Sequence, residues 1–461
     1  MDRIQIDFAK ATGKAIKPLH GVNRPFPQFE GRMASLMEIG VPCVRLHDCG
    51  GAYGRNTLVD VPNLFRNFEA DVDDPASYDF AFTDAYLQTI HASGMKILYR
   101  LGVTIEGWHK IKAYRISPPP DPFKWARICE HIIRHYNEGW AGGFHFNITH
   151  WEIWNEPDNP DCWLGSREQF FELYRTSVNY LKRRFPQLQF GGYAGCGFYH
   201  LTRPEPELNA LMKSLSAWFE AFLRYVSAPE TSSVLDFLSF HLYSTDPNEI
   251  GTHLRYARRR LDEAGFRDAE LIVDEWNYAD RHLPDNINGV LRKEMPGAAF
   301  VAGNFCIMQL NAANSACYYD ADPTGSYGGL FYFPSRVPTP AFYAFKAFNE
   351  IYKQRKEVFS STEGDQLFVC AGRSSEKSAA AIICSNTEKM RTVTLDLTGA
   401  PAVVRRCYIL DKDHPVFAEI PLTGDTIPFN GHSILLVLYG ASLPPGSKDF
   451  HALPSGLAGM Q

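Results

Sequence analysis

Short apolar runs recur between residues 15 and 350, each followed by a stretch whose apolar positions repeat at helical spacing. The runs are "KPLHGVN" (17–23), "VPCVRLH" (41–47), "MKILYRL" (95–101), "THWEIWN" (149–155), "LQFGGYA" (188–194), "LDFLSFHLY" (235–243), "ELIVDEW" (270–276) and "SACYYD" (315–320). Each has the length and texture of a strand buried on both faces. The helical stretch after the fourth run is the clearest. Ser166 and Gln169 stand in capping-box spacing, and Phe170, Phe171, Leu173, Tyr174, Val178 and Leu181 mark one face. Another stretch, Glu249 to Ala264, stops at Gly265, a residue suited to a helix C-terminus. Eight strand–helix units predict a (β/α)8 TIM barrel over residues 15–355. A doubly wound open sheet is the rival, but it requires a Gly-rich phosphate loop after its first strand, and none stands there.

After residue 358 the pattern changes. "QLFVCAGR", "SAAAIICSN", "RTVTLDLTG", "VVRRCYIL" and "HSILLVLYG" are β-rich runs split by turn residues. They predict a C-terminal β-sandwich over 356–445, to which residues 1–14, with the alternating "RIQIDF", add a strand. Residues 446–461 are rich in Pro and Gly and are expected to form an extended tail.

Composition narrows the function classes. The 461-residue chain is 45% hydrophobic with a net charge of −6. No basic concentration points to nucleic acid or an anionic membrane surface. No apolar run reaches about twenty residues, so no membrane span is expected. The start, "MDRIQIDFAKATGKAI", lacks a basic segment followed by an apolar one. A cytoplasmic location is therefore expected, or a periplasmic or secreted one if a leader has been removed. The 10 cysteines include no C-x-x-C pair. That argues against a zinc knuckle and for free thiols in a reducing compartment. Aromatic content is 13%, with 22 Tyr and 8 Trp. Flat apolar faces beside polar handles suit carbohydrate, although a large core uses them equally.

Catalytic groups of a barrel sit at the C-terminal ends of its strands. The fourth run ends Asn155-Glu156-Pro157 and the seventh Asp274-Glu275-Trp276; His47 closes the second and His241 and Tyr243 the sixth. Two glutamates thus converge, as glycoside hydrolysis requires: one carboxyl protonates the leaving oxygen while the other acts from the opposite side of the anomeric carbon. A single strand-end glutamate is ordinarily a solvated loop residue; two at one barrel face are not. Strict alternation would send Asn155 and Glu156 to opposite sides, so the fourth strand must end or bulge there. Glu152 shares a face with Glu156 but lies about 13 Å deeper. It is expected in the barrel interior, paired with Arg45, because a buried charge needs a partner. Alternation points Asp274 away from the interior, towards a helix cap or ion pair.

"WEIWNEPD" followed by "DEW" resembles the retaining glycosidases whose acid/base follows an Asn on strand four and whose nucleophile ends strand seven. Within that clan, "FAKATGKAI…HGVNR", "VRLHD", "YDFAFTDAYLQTIHASGMK", "WEIWNEPDNPDCWLGSREQFFELY" and "SFHLY" resemble glycoside hydrolase family 39, the β-xylosidases and α-L-iduronidases, over roughly 5–350. The resemblance implies Glu156 as acid/base and Glu275 as nucleophile. It also implies that Asn155 holds the sugar 2-hydroxyl, that His47 and His241 face the sugar, and that Tyr243 hydrogen-bonds Glu275. The chemistry asks for a nucleophile of low pKa surrounded by donors. It asks for an acid of raised pKa, which burial near Trp151, Trp154 or Trp163 would help. Trp108 and Trp163, in the loops after strands three and four, are candidate sugar platforms or loop packing. Glu106, His109 and Lys110 line a subsite or an ordinary solvated loop. Asp158 and Asp161 have no assigned work.

The chain departs from the family's xylosidases after strand eight, where a Trp and a pair of glutamates are expected. It carries Tyr318, Tyr319, Asp320 and Asp322 instead, with Tyr319 as a substrate-binding candidate. The loop after strand two is also long. Xylose specificity is therefore open, and a uronate would need a cation such as Arg55, Lys110 or Arg281. The expected function is a retaining, exo-acting, β-xylosidase-like hydrolase of oligosaccharides, with no metal or cofactor and compatible with a homo-oligomer. The alternatives are the same chemistry on a uronide, arabinoside or galactoside, and a catalytically silent sugar-binding protein. A metal-dependent barrel hydrolase is disfavoured, since no His-x-His pair ends a strand. The sequence does not fix the sugar, its linkage, exo against endo action, the oligomeric state or the role of the sandwich.

Overall fold

The computed structural model describes residues 2–26, 32–50, 58–104 and 116–440. Trp108, Glu106, His109, Lys110, Arg55 and the tail 446–461 lie outside the described residues. The first strand, β1 (Asp2–Ala15), leads to eight parallel strands: β2 (Gly21–Asn23), β3 (Cys43–Leu46), β4 (Lys96–Leu101), β5 (His150–Ile153), β6 (Gln189–Gly195), β7 (Phe237–Ser244), β8 (Glu270–Tyr278) and β9 (Ser315–Tyr318). They close into a barrel in chain order, β9 pairing back onto β2. The eight apolar runs become these eight strands, trimmed by a few residues. Helices cover the outside, as the sequence periodicity requires. The helix Arg167–Arg184 opens on Ser166 with both hydrogen bonds of a capping box, and the helix Pro247–Glu263 is followed by Gly265 at φ +92°.

The barrel interior is layered. Leu98, Phe237 and Ile272 form an apolar cluster of their own. Two residues further along their strands, on the same face, stand Arg100, Ser239 and Asp274. All three are fully buried. An apolar plug therefore lies beneath a polar layer, and the polar layer lies beneath the mouth.

The remaining strands are β10 (Lys356–Glu363), β11 (Leu367–Ser375), β12 (Ser378–Ser385), β13 (Arg391–Thr398), β14 (Arg405–Asp411), β15 (His414–Ile420), β16 (Thr426–Phe429) and β17 (Ser433–Tyr439). With β1 they make one nine-stranded sheet in the order β15-β14-β17-β12-β11-β10-β1-β13-β16. The sheet curls on itself. β10 meets β11 at the single register pair Glu357↔Gly372, while it pairs with β1 along its length. The fold encloses Ile4, Ile6, Phe8, Val369, Ile383, Val393, Leu435 and Val437 as a second core. Alternate residues of β11, β12 and β17, among them Phe368, Cys370, Ile382, Leu436 and Leu438, belong to the barrel's core instead. One leaf thus has two apolar faces and binds the sheet to the barrel, which is why those strands read as continuous apolar runs. All ten cysteines are free thiols. Among the described residues, no helix is long and apolar enough to cross a membrane.

Candidate active site

The C-terminal end of the barrel gathers most of the residues singled out in the sequence. β5 ends at Ile153. Trp154 turns back at φ +73°, Glu156 at φ +46°. The backbone is wedged between its neighbours: Trp154 N–H donates to Leu101 O (2.9 Å), and Glu156 N–H to Ala194 O (3.0 Å). Close approach requires a glycine on β4's side, since a Cβ on Gly102 would stand 2.9 Å from Trp154 Cα. The break in strand four therefore exists, and it begins one residue before Asn155. Asn155 and Glu156 both reach the interior side of the barrel.

β8 behaves differently. It runs on to Tyr278 but carries one extra residue against both neighbours. Its pairing with β7 passes from Phe240↔Val273 to His241↔Glu275, and with β9 from Val273↔Ala316 to Trp276↔Tyr318. This bulge at Asp274 corrects the expectation that Asp274 points outward. An inserted residue resets the alternation, and Asp274 and Glu275 both turn inward, 0% and 5% exposed.

Arg45, on β3, joins the two strand ends. Fully buried, it contacts Glu152 Oε2 through Nη2 (2.6 Å), Asp274 Oδ2 through Nε (3.0 Å) and Glu275 Oε1 through Nη1 (2.8 Å). Its Nη2 also donates to Asn155 Oδ1 (2.7 Å). The anticipated Arg45–Glu152 pair is present, as part of a larger network. Asn155's carbonyl oxygen is thereby engaged by Arg45.

Tyr243 OH donates to Glu275 Oε2 (2.9 Å). His47 Nε2 lies 3.5 Å from Glu275 Oε1 and 3.4 Å from Asp48 Oδ1. His241 sits between the carboxylates: Nδ1 is 2.7 Å from Glu156 Oε1 and 3.6 Å from Glu275 Oε2, and Nε2 is 3.3 Å from Asp274 Oδ2. Glu156 Oε2 accepts from Asn159 Nδ2 (3.0 Å) and, weakly, from the Cys162 thiol (3.7 Å). One oxygen of Glu156, one of Glu275 and a nitrogen of His241 all fall within 4.8 Å of one another. Atoms so placed invite a metal reading, but a ligating imidazole must be deprotonated at the bond. His241 instead directs a nitrogen at a carboxylate on each side.

The electrostatics follow from burial and these contacts. Burial disfavours the charged form of His241, but the charges of Glu275 and Asp274 and its hydrogen bonds overcome that and hold its pKa well above the ordinary imidazole value. Burial likewise pushes Glu156 up, yet the hydrogen bond and charge of His241, with donation from Asn159 and Cys196, bring it down to about 2. Glu275 is raised, because burial outweighs the pull of His241 and Arg45. Burial lifts Glu152 to about 8 despite Arg45, and lifts Asp158, aided by the charge of Glu156, to about 7. Asp274 is lowered, the charges of Arg45 and His241 prevailing over burial. This reverses the expected order, in which the acid is raised and the nucleophile lowered. The physical reason is His241: its imidazole, held well above its ordinary pKa, lies one hydrogen bond from Glu156 and draws that carboxyl down.

Trp151, Trp154 and Trp163 do not create an apolar pocket for Glu156. Trp163 is 3% exposed. It packs edge-on against Trp154 (5.0 Å between centroids) and Phe170 (5.6 Å), and its Nε1 donates to Ser166 O (2.9 Å). Its expected part as a sugar platform is corrected to loop packing, since the indole is buried and packed edge-on against Trp154 and Phe170. Asp158 also has a use: its carboxylate accepts from Cys196 N–H (3.1 and 3.3 Å), tying the Glu156 loop to the end of β6. Tyr319 lies at the mouth, its hydroxyl on Asp48 and its ring 6.2 Å from His47. Beside it, Arg24 bridges Asp320 (3.0 Å) and Asp322 (3.3 Å). Tyr327 was not singled out in the sequence. Its ring meets Tyr243 (5.3 Å) and Tyr319 (5.6 Å) edge-on, completing an aromatic wall beside Glu275. Nothing in "PTGSYGG" marks that tyrosine, because the loop's path decides where it points.

The family model for glycosyl hydrolases family 39 matches residues 37–269. A beta-xylosidase of Geobacillus stearothermophilus is 24% identical over 199 residues, 42% of this chain and 36% of that protein. A beta-xylosidase of Caldicellulosiruptor saccharolyticus is 25% identical over 196 residues, 41% of this chain and 35% of that protein. The chain thus matches about a third of the length of these curated relatives. Among solved structures, a glucosidase from Croceicoccus marinus superposes with a TM-score of 0.71 at 21% identity, covering 96% of this chain and 99% of that one. A monomeric beta-xylosidase from Caulobacter crescentus gives 0.67 at 17%, covering 95% and 99%. At these identities the likeness of structure speaks for the fold.

Proposed function

The chain belongs to glycosyl hydrolase family 39, and from that membership and its paired carboxylates we propose a retaining, exo-acting, β-xylosidase-like glycosidase. The observation that carries this reading is the approach of Glu156 and Glu275, whose nearest oxygens lie within 4.8 Å. Retaining enzymes hold their carboxyl groups about 5–5.5 Å apart, whereas inverting enzymes leave about 6.5–9.5 Å for a water molecule. The beta-xylosidase relatives support the sugar class.

In this reading Glu275 attacks the anomeric carbon while Glu156 protonates the departing oxygen, giving a glycosyl ester on Glu275. Glu156 then takes a proton from water, which attacks the ester and releases the sugar with its configuration retained. Arg45, Tyr243 and His47 hold Glu275 and stabilise the charge it regains when the ester breaks. Asn155, His47 and Tyr319 contact the sugar, and Tyr327 joins them. A second reading, the same chemistry on another neutral sugar, draws on the mouth. Tyr319, Tyr327 and the Arg24–Asp320–Asp322 cluster occupy the region where the sequence departs from the xylosidases.

The experiment is a panel of aryl xylosides, arabinosides, galactosides, glucosides and glucuronides, with the first-formed sugar followed by NMR. The β-xyloside turns over fastest and releases the β-anomer first. Release of the α-anomer first refutes retention, and absence of turnover on every sugar refutes the enzyme. A chelator leaves the rate unchanged.

A further inference from the structure

Asp274 and Glu275 are chain neighbours that both face the barrel interior, which strict alternation forbids. Alternation from Ile272 turns Asp274 inward, and the bulge in β8 brings Glu275 in beside it. The fully buried Asp274 carboxylate stands 3.3 Å from His241 Nε2, while the opposite nitrogen of that ring points at Glu156 Oε1 from 2.7 Å. An imidazole gripped at Nε2 by a carboxylate has its orientation and its second N–H fixed. We infer that Asp274 is a positioning residue for proton transfer, anchoring His241 so that its Nδ1–H is presented to Glu156. The inference rests on Glu156 being the acid/base.

The step balances. As the glycosidic C–O bond breaks, its electron pair goes to the leaving oxygen, which takes the proton from Glu156. The His241 Nδ1–H bond breaks as a new O–H bond forms on Glu156. When water attacks the glycosyl ester, its proton returns through Glu156 to His241. The charged and titratable groups facing His241 are Glu156 from the loop after β5, Asp274 and Glu275 from β8, Asp158 from the same β5 loop, and Arg45 and His47 from β3. Asp274 alone contacts Nε2 in the described network. The same oxygen, Oδ2, also meets Arg45 Nε (3.0 Å), and the Asp274 backbone carbonyl accepts from Asn23 Nδ2 (2.6 Å). The anchor is therefore itself fixed.

The test is Asp274→Asn, compared across leaving groups. A dinitrophenyl glycoside departs without an acid, and an alkyl glycoside does not. The variant should slow the alkyl substrate by about 100-fold, within the usual range for general acid catalysis, and leave the formation of the ester from the dinitrophenyl substrate within about threefold. Its alkaline limit of kcat/KM should move to lower pH, with Asp274→Glu restoring part of both effects. Equal slowing of the two substrates, or no shift of the alkaline limit, overturns the inference and leaves Asp274 a support for Arg45 alone. Nitrogen-15 NMR of His241 in the unaltered protein gives a readout that needs neither activity nor a folded variant. Both ring nitrogens should be protonated at neutral pH, and a neutral ring overturns the inference. If the unaltered protein turns over no glycoside while His241 is doubly protonated, it is the enzymatic reading that has failed.

Discussion

β5 and β8 bring their glutamates to one point by opposite means. β5 stops, and two left-handed residues, Trp154 and Glu156, redirect the chain into a loop. β8 continues past Glu275 and absorbs one extra residue. A non-glycine residue in the left-handed region costs about 1–2 kcal/mol, which the backbone bonds to Leu101 and Ala194 offset. A bulge leaves the strand's remaining ladder intact. The glutamates differ accordingly. The Glu156 side chain is 18% exposed, held by His241, Asn159 and a thiol. That of Glu275 is 6% exposed, held by Arg45, Tyr243 and two histidines. The looser group suits a residue that gives and takes protons; the tighter one suits a nucleophile that must meet a single carbon.

That contrast can be broken in order of effect. Glu275→Gly should lower kcat/KM by about 10⁴-fold or more, the scale seen when a nucleophile is deleted. Azide should restore turnover and give the α-glycosyl azide from a β-glycoside. Near-normal turnover would remove Glu275 from the chemistry. Glu156→Ala should slow substrates with poor leaving groups by about 10²–10⁴-fold. Azide should rescue it too, but with the β-azide as product, so the product's configuration separates the two glutamates in one assay. Arg45→Met strips three buried carboxylates of their shared cation and should cost about 3–5 kcal/mol in denaturant unfolding; a loss confined to the rate, with stability intact, would show that Arg45 serves Glu275 and not the fold. The smallest effect is expected at Glu152, which shares Arg45 but not the mouth. Glu152→Gln should keep activity within about threefold, less than 0.7 kcal/mol in the barrier.

Glu152 also makes a prediction in pH. Burial raises its carboxyl from 4.5 to about 8. Between those values the folded protein keeps a proton that the unfolded chain has lost, so this group's contribution to stability falls as pH rises across the window and is fully lost above it. Thermal unfolding of Glu152→Gln should therefore decline less steeply from pH 5 to pH 8 than that of the unaltered protein. Parallel slopes would place the buried proton elsewhere, with Asp158 or His241 as its holder.

The barrel was legible because eight apolar runs separated by helical periodicity admit few other arrangements. The convergence of Glu156 and Glu275 was legible because strand ends share one face of a barrel. The break at strand four could be demanded in advance, since Asn155 and Glu156 are neighbours and the geometry allows no other route. The bulge at Asp274 could not: nothing in "ELIVDEW" signals an inserted residue, and alternation counted back from Glu275 gave Asp274 the wrong side. The ionisation order was misjudged for a related reason. The tryptophans near Glu156 in sequence pack elsewhere, Trp154 against Trp163 and Trp151 on Tyr99, while the histidine that governs its charge arrives from another strand. Trp163 shows the same limit: an indole next to such a loop reads alike whether it stacks on sugar or packs edge-on against Phe170.

The place of β1 bears on how the molecule is made. Asp2–Ala15 pairs with β10 and β13, and Arg3 meets Asp396 across 393 positions. At translation rates of about 5–20 residues per second, β1 waits roughly 20–80 s after its own synthesis for both of its partners. During that interval it is an unpaired β-edge with Ile4, Ile6 and Phe8 uncovered. Completion of the barrel does not relieve it; only synthesis of the last sheet strands does. A nascent chain arrested after residue 355 should accordingly carry a barrel with an adhesive, unpaired β1, a natural handle for a chaperone and a hazard for aggregation.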